Sequence, residues 1–362
     1  MNGQDFLSDT NLKINANDDD IEISVFGRGF GECIVLCCGN KEYVVIDSFV
    51  NPQTKKPIAI DYLNALGIST KSIKKVILTH WHSDHISGAV DILNVAAPDV
   101  QLVVSPIISE KRFMEYISLG KESCVSSTSE FVKIYEYIEK NGIQHVCLAK
   151  EKTRVYSNES LSNAEIYCLF PHDTNVIDYL NSIILPKTGD PVAYEYKDEN
   201  LLSIVLLMKY SSDGALFGGD LEVSQNNDGW SAIVNNYEHH KNYPSIFKIP
   251  HHGSVNAHCE LVWRNILQPN PISILTVYNK GNKLPKDSDI DRIKSLSGAL
   301  YIVGKKSKED KAFEHDLKRS MPKAKVNTMP QEIGLIRYRK NRFKPDEAAK
   351  IETFGSVQIY SK

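Results

Sequence analysis

Four side chains of metal-binding type fall within six residues of this chain: His80, His82, Asp84 and His85, in Leu78-Thr79-His80-Trp81-His82-Ser83-Asp84-His85. A short, largely apolar run from Lys75 to Leu78 precedes them and reads as a buried strand. His80 and His82 are two residues apart, so an extended backbone points them the same way. Asp84 and His85 follow where the chain is expected to turn into a helix, and face the other side of the same cavity. Imidazole mixed with carboxylate suits borderline divalent metals such as zinc. Two such metals about 3.5–4 Å apart make a hydrolytic centre. A single core histidine needs no metal, but this crowding at a strand end does not read as ordinary core.

Three more strand ends carry residues of the same kind. Ala215-Leu216-Phe217 leads into Gly218-Gly219-Asp220. Phe247-Lys248-Ile249-Pro250 leads into His251-His252-Gly253-Ser254. Tyr43-Val44-Val45-Ile46 ends in Asp47. Each alone is weak, because a terminal Asp is a common turn or cap residue. Together they suggest a site built at one edge of stacked sheets.

On these residues the chain resembles the metallo-β-lactamase superfamily. Its pattern is HxHxDH, with a strand-end Asp upstream, a Gly-Asp downstream and a final His. His251-His252-Gly253-Ser254 narrows the likeness to the branch that contains the hydrolase domain of ComEC-type DNA-uptake channels. The likeness runs from about Ile21 to Arg339. It takes in the opening Phe26-Gly27-Arg28-Gly29-Phe30-Gly31-Glu32 and the strand beginning at Asn200. It implies an α/β fold, an αβ/βα sandwich with the metals at one edge of the sheets.

The resemblance implies two divalent ions, zinc ahead of manganese. His80 and His82 would hold the first. Many members supply a further His there, but here the corresponding strand begins with Asn200. His172, in Phe170-Pro171-His172-Asp173, is the other candidate, and its alternative reading is a helix-start residue. Asp84, His85 and one of the His251-His252 pair would hold the second ion. His252 is preferred because Gly253 follows it. Asp220 bridges both ions by resemblance. His251 would then orient substrate or donate a proton, so Asp84 and His251 are the expected catalytic residues. Asp47 is read as steering an imidazole by hydrogen bonding.

The channel proteins also have a membrane domain. This chain has no apolar run near the ~20 residues of a membrane span. Its polar first twenty residues end in Asp18-Asp19-Asp20 and resemble neither a signal nor a transit peptide. Seven cysteines without a CxxC pair suggest reduced thiols in a cytoplasmic protein. The expected organisation is a mobile tail over 1–20, one hydrolase domain over 21–340 and a C-terminal extension over 341–362. Within the domain, 109–142 forms a helical insertion, either a lid or a peripheral hairpin. Helices are also expected near Val176–Leu185 and Lys311–Arg319.

The net charge of −3 is unevenly spread. Residues 281–362 carry 19 Lys and Arg against 11 Asp and Glu, leaving 23 against 34 for residues 1–280. In the basic quarter, Arg337-Tyr338-Arg339-Lys340-Asn341-Arg342-Phe343-Lys344 interleaves cations with aromatics, which suits a phosphate backbone. The same pattern also fits a solvated edge strand.

The leading expectation is a phosphodiesterase or nuclease, using a water activated between two metals, with a nucleic acid or nucleotide as substrate. A small-molecule ester, thioester or lactone hydrolase is the alternative. A third reading is a metal-stabilised subunit without catalysis, whose protein partner the sequence does not name.

Overall fold

The computed structural model describes residues 6–115, 126–158, 164–183, 199–224, 228–237, 243–304, 332–344 and 346–361. The first half of the chain supplies β1 (Asp20–Gly27), β2 (Glu32–Cys37), β3 (Tyr43–Ile46), β4 (Ile73–Ile77), β5 (Gln101–Val104) and β6 (Val146–Leu148). The middle supplies β7 (Arg154–Ser157), β8 (Glu165–Phe170), β9 (Val205–Tyr210), β10 (Asp213–Phe217), β11 (Ile246–Lys248), β12 (Ile272–Thr276) and β13 (Ala299–Val303). β14 (Gly334–Asn341), β15 (Lys350–Gly355) and β16 (Val357–Ser361) follow. They form two eight-stranded sheets, in the orders β15-β14-β1-β2-β3-β4-β5-β6 and β16-β13-β12-β11-β10-β9-β8-β7.

The period-2 alternation of strands explains the layering. Along β3, Val44 and Ile46 face the second sheet and join Ile23, Val25, Leu206, Phe217 and Ile274 in a core between the sheets. Tyr43 and Val45 face outward and pack with Ile58, Tyr62 and Ile92 beneath helices. On the far face of the second sheet, Phe247, Leu275 and Leu300 pack against Trp230, Trp263 and Ile293. Central strands are thus covered on both faces, which is why they read as unbroken apolar runs. The result is an αβ/βα sandwich, the expected fold class.

Both ends of the chain depart from expectation. The described part of the first twenty residues is docked: Leu7 and Leu12 are buried in the outer core. Arg337 donates to the carbonyls of Leu12 at 2.7 Å and Asn11 at 3.1 Å. Polar composition hid this, because the anchors are two leucines and backbone carbonyls. The expected extension over 341–362 is likewise structural, since β15 pairs with β14 and β16 with β13. One short hairpin therefore contributes a strand to each sheet.

In the insertion, the helix Ser126–Asn141 buries Phe131 and Ile134 in the outer core. The rings of Phe131 and Phe113 pack edge-on against Trp81, between two motif histidines. This part supports the motif loop from behind, and residues 116–125 lie outside the described residues. The expected helix at Lys311–Arg319 also lies outside them. The helix near Val176 begins earlier, at Asp173, and ends at Ser182. No helix among the described residues is long and apolar enough to cross a membrane.

Candidate metal centre

Parallel pairing brings the strand ends together. β3 runs parallel to β4 and β10 to β11, with β11 parallel to β12. Asp47, His80, Asp220 and the His251-His252 pair therefore emerge at one edge, at the carboxyl ends of the strands. Asp47, His251 and His252 adopt left-handed backbone, with φ of 58°, 45° and 51°. Such conformations are costly for residues other than glycine, about 1–3 kcal/mol each, and collect at functional sites. Gly253 follows at φ 82°, where glycine is at ease.

His85 and His252 each have one ring nitrogen engaged by the protein and the other without a hydrogen-bond partner, while His80 and His82 also contact each other. His85 Nδ1 donates to Asp47 Oδ2 at 2.7 Å. Asp47 also accepts from Thr79 N at 2.8 Å and Thr79 Oγ1 at 2.7 Å. With its own proton spent on Asp47, the Thr79 hydroxyl accepts from His80 Nδ1 at 3.0 Å. His252 Nδ1 donates to Thr276 O at 3.2 Å, and Thr276 Oγ1 donates to Glu32 Oε2 at 2.5 Å. Glu32 in turn pairs with buried Lys248 at 2.7 Å. His82 Nε2 lies 3.3 Å from Glu199 Oε2, leaving Nδ1 3.0 Å from His80 Nε2. Carboxylate and hydroxyl partners of this kind fix the tautomer of metal-ligating histidines.

The inward atoms converge. Asp220 Oδ2 lies 3.9 Å from His80 Nε2, 3.5 Å from His85 Nε2 and 3.6 Å from His252 Nε2. Asp84 Oδ2 lies 3.7 Å from His85 Nε2 and 3.6 Å from His252 Nε2. Tetrahedral ligands ~2.1 Å from zinc stand about 3.4 Å apart, so these separations fit shared ions. His85 Nε2, His252 Nε2 and Asp220 Oδ1 are buried without a hydrogen-bond partner. Buried polar atoms are rarely left so. Their donor chemistry, imidazole nitrogen with carboxylate oxygen, fits a divalent metal.

Charge coupling inside the cluster is strong. Burial raises the Asp220 carboxyl, but His85 and His252 outweigh it and hold the group well below its ordinary range. Asp84 is held low against burial by the same two imidazoles. Burial depresses His80, and its imidazole neighbours add to the effect. His85 is raised despite burial, because Asp220, Asp47 and Asp84 surround it. The carboxylates therefore stay anionic, as ligands must.

Two expected members stand differently. His172 caps the helix Asp173–Ser182, and its Nδ1 donates to Glu151 Oε2 at 2.6 Å. It is absent from the ligand-type groups whose atoms lie within 4.8 Å of one another among the described residues. Its proline-histidine-aspartate context belongs to a helix start, the alternative reading. Asn200 does line the cavity, with its amide on Glu222 Oε1 at 3.2 Å. His251 also takes Glu222, at 2.9 Å, and stands on the cavity wall while His252 lies in the floor. Glu199, Glu222, Glu32 and Thr276 were not picked out as site residues in the sequence. Glu32, Glu199 and Glu222 adjoin motif residues or lie two away, and Thr276 ends a strand as the other site residues do.

A cavity of about 540 Å³ opens over the cluster, walled by Phe30, Ser254, Asn256, Tyr278, Lys280 and Lys286. Tyr278 stacks on His252 with ring centroids 5.1 Å apart. Burial lowers the pKa of Lys280, and Asp84 opposes that shift.

Residues 26–117 match the model of the metallo-beta-lactamase superfamily. That segment begins at the glycine-rich turn between β1 and β2 and includes the whole HxHxDH motif. Similar solved structures include the metallo-beta-lactamase SMB-1 bound to 2-mercaptoethanesulfonate, at 13% identity over 62% of this chain and 75% of that one, with TM-score 0.34. MEM-A1, a subclass B3 metallo-beta-lactamase from a soil metagenome library, shows 8% identity over 65% and 78%, with TM-score 0.33. The chemotaxis sensor ODP, in a peroxy diiron form, shows 11% identity over 57% and 63%, with TM-score 0.29. No curated protein matches the chain. The matched segment holds His80, Asp84 and His85, members of the ligand-type groups.

Proposed function

We propose that this metallo-beta-lactamase-fold protein is a phosphodiesterase acting on nucleotide-sized substrates. His80, His82 and Asp220 would hold one divalent ion, and Asp84, His85, His252 and Asp220 the other. The metals supply Lewis acidity and an activated water. The observation that carries the reading is the distribution of charge around the cavity. Its carboxylates, Asp84 and Asp220, lie among the ligand set, whereas its wall presents Lys280, Lys286 and the polar Ser254, Asn256 and Asn282. Such a wall favours a polar anion over an apolar ester. The volume falls in the range of small-ligand sites, about 300–1,000 Å³, and suits a nucleotide better than a duplex.

The chain's own groups have definable roles. Asp47 and Thr276 hold the rings of His85 and His252 so that each turns Nε2 inward. Tyr278 covers His252 and limits water on that side. Ser254 and Asn256 offer hydrogen bonds to a non-bridging phosphate oxygen. His251, steadied by Glu222, donates the proton that the departing ester oxygen takes up as the P–O bond breaks and water oxygen joins phosphorus.

The test is a substrate panel with manganese or zinc: bis(4-nitrophenyl) phosphate and a thymidine dinucleotide against a 4-nitrophenyl carboxyl ester and a lactone. The phosphodiesters should be cleaved, and Asp84→Ala/His85→Ala should abolish the reaction in a folded protein. Cleavage of the carboxyl ester or lactone alone would make the chain a small-ester hydrolase. Undiminished turnover in the folded double variant would remove the metal centre from the mechanism.

A further inference from the structure

Lys280 and Lys286 stand on the loop between β12 and the helix Asp287–Leu296. That loop is tied to the glycine-rich turn after β1: Asn279 N donates to Gly29 O at 2.6 Å, and Gly29 bridges to Tyr278. Lys280 Nζ lies 3.1 Å from the centroid of the Phe30 ring. A cation–π contact of this kind holds the ammonium at the wall. The rings of Phe30 and Tyr278 are 5.8 Å apart, and Tyr278 covers His252. Ammonium, two aromatic rings and cluster imidazole thus form one continuous wall.

Among the described residues, neither Lys280 nor Lys286 has a carboxylate within ion-pair distance. Arg28, on the same turn as Phe30, is in the same position, and its Nε is buried without a hydrogen-bond partner. Asp84 acts through space on both Arg28 and Lys280, which places this positive wall beside the cluster. Lys280 and Lys286 are exposed at the cavity wall, and a cation there without an ion-pair carboxylate among the described residues is available to an anionic ligand.

We infer that Lys280 and Lys286 seat a second anionic group of the substrate, a terminal phosphate, while the scissile phosphodiester lies over the cluster. The inference rests on the phosphodiesterase reading and narrows its substrate class. The preferred substrate is a short nucleotide with a terminal phosphate beyond the bond that is cut.

Equilibrium binding by calorimetry tests this on the full chain, without added metal and with manganese. The probes are thymidine dinucleotide with and without a 5′- or 3′-phosphate. One phosphorylated form should bind about tenfold more tightly than the unphosphorylated form, and added salt should erode the difference. Lys280→Gln/Lys286→Gln should lose the preference, and Lys280→Arg should keep it. Equal or absent affinity for all probes in the wild type overturns the inference. So does a preference that survives in the double glutamine variant. Hydrolysis of bis(4-nitrophenyl) phosphate is a separate arm. If the wild type fails there but prefers a phosphorylated probe, the phosphodiesterase reading falls and the anion seat stands.

Discussion

Along β14, the guanidinium of Arg337 meets Glu352 at 2.8 Å, and Arg339 meets Glu22 at 2.6 Å. Arg342 lies 3.6 Å from Asp19, and Lys340 lies 3.4 Å from Asp213. Arg337, Arg339 and Arg342 are buried. Around the cavity the pattern is reversed. His85, His252 and Asp220 keep buried atoms without a hydrogen-bond partner, and Arg28, Lys280 and Lys286 have no ion-pair carboxylate among the described residues. Arg337 and Arg339 take their partners from within the chain, although Arg342 keeps Nε and Nη1 buried without a hydrogen-bond partner, while the cavity leaves its cations for something else. In the richest run of cations in the sequence, Arg337 and Arg339 therefore form part of a structural ladder on β14. Arg339 is held by the buried carboxylate of Glu22, and Arg337 by Glu352 and the carbonyls of Leu12 and Asn11.

The sharpest break of this comparison is Arg339→Ala. It leaves buried Glu22 without its arginine, with only the hydroxyls of Tyr62 and Ser24 donating to it, so unfolding free energy should fall by about 3–5 kcal/mol in a urea titration. A loss under about 1 kcal/mol would class β14 with ordinary surface strands. Next comes Asp220→Asn. The wild type, with zinc or manganese at a hundredfold excess over Kd, should gain about 2.7 kcal/mol in stability. The variant, carrying an amide in place of a shared carboxylate, should gain much less at the same concentration and purify with less metal. Full metal content by elemental analysis would show that Asp220 does not join the two sites.

Smaller effects test the other side. Lys280→Gln and Lys286→Gln should each change stability by no more than about 0.5 kcal/mol, because they break no internal ion pair. A larger loss would mean that the wall holds the fold together. His172→Ala should leave metal content unchanged, and a loss of bound metal in a folded variant would return His172 to the ligand set.

Much of the centre was legible because its residues sit at strand ends, where alternation and terminator residues show in one dimension. The structure brings His80, Asp84, His85, Asp220 and His252 within reach of one another, with Asp47 on His85, whereas His82 lies beside His80 but, like His172, is in none of the ligand-type groups among the described residues. What stayed hidden depends on pairing between distant segments. Glu32 reaches Thr276 only because the sheets are stacked. Glu199 meets His82 across a long stretch of chain. Burial of the β14 arginines requires β1 on one side and β15 on the other, and the sequence records neither neighbour. The docking of Leu7 and Leu12 was missed for the same reason: two leucines in a polar segment give no periodic signal.

The sheet order also has a consequence for the order of events during synthesis. β1, made long before β14, pairs with it from Asp20 opposite Asn341 to Gly27 opposite Gly334. β13 likewise waits for β16. Until residues 334–361 have been made, each sheet presents an open edge of unsatisfied amide and carbonyl groups, the kind of template on which nascent chains stick to one another. That exposure of β1 and β13 lasts until after most of the strands described here have been translated.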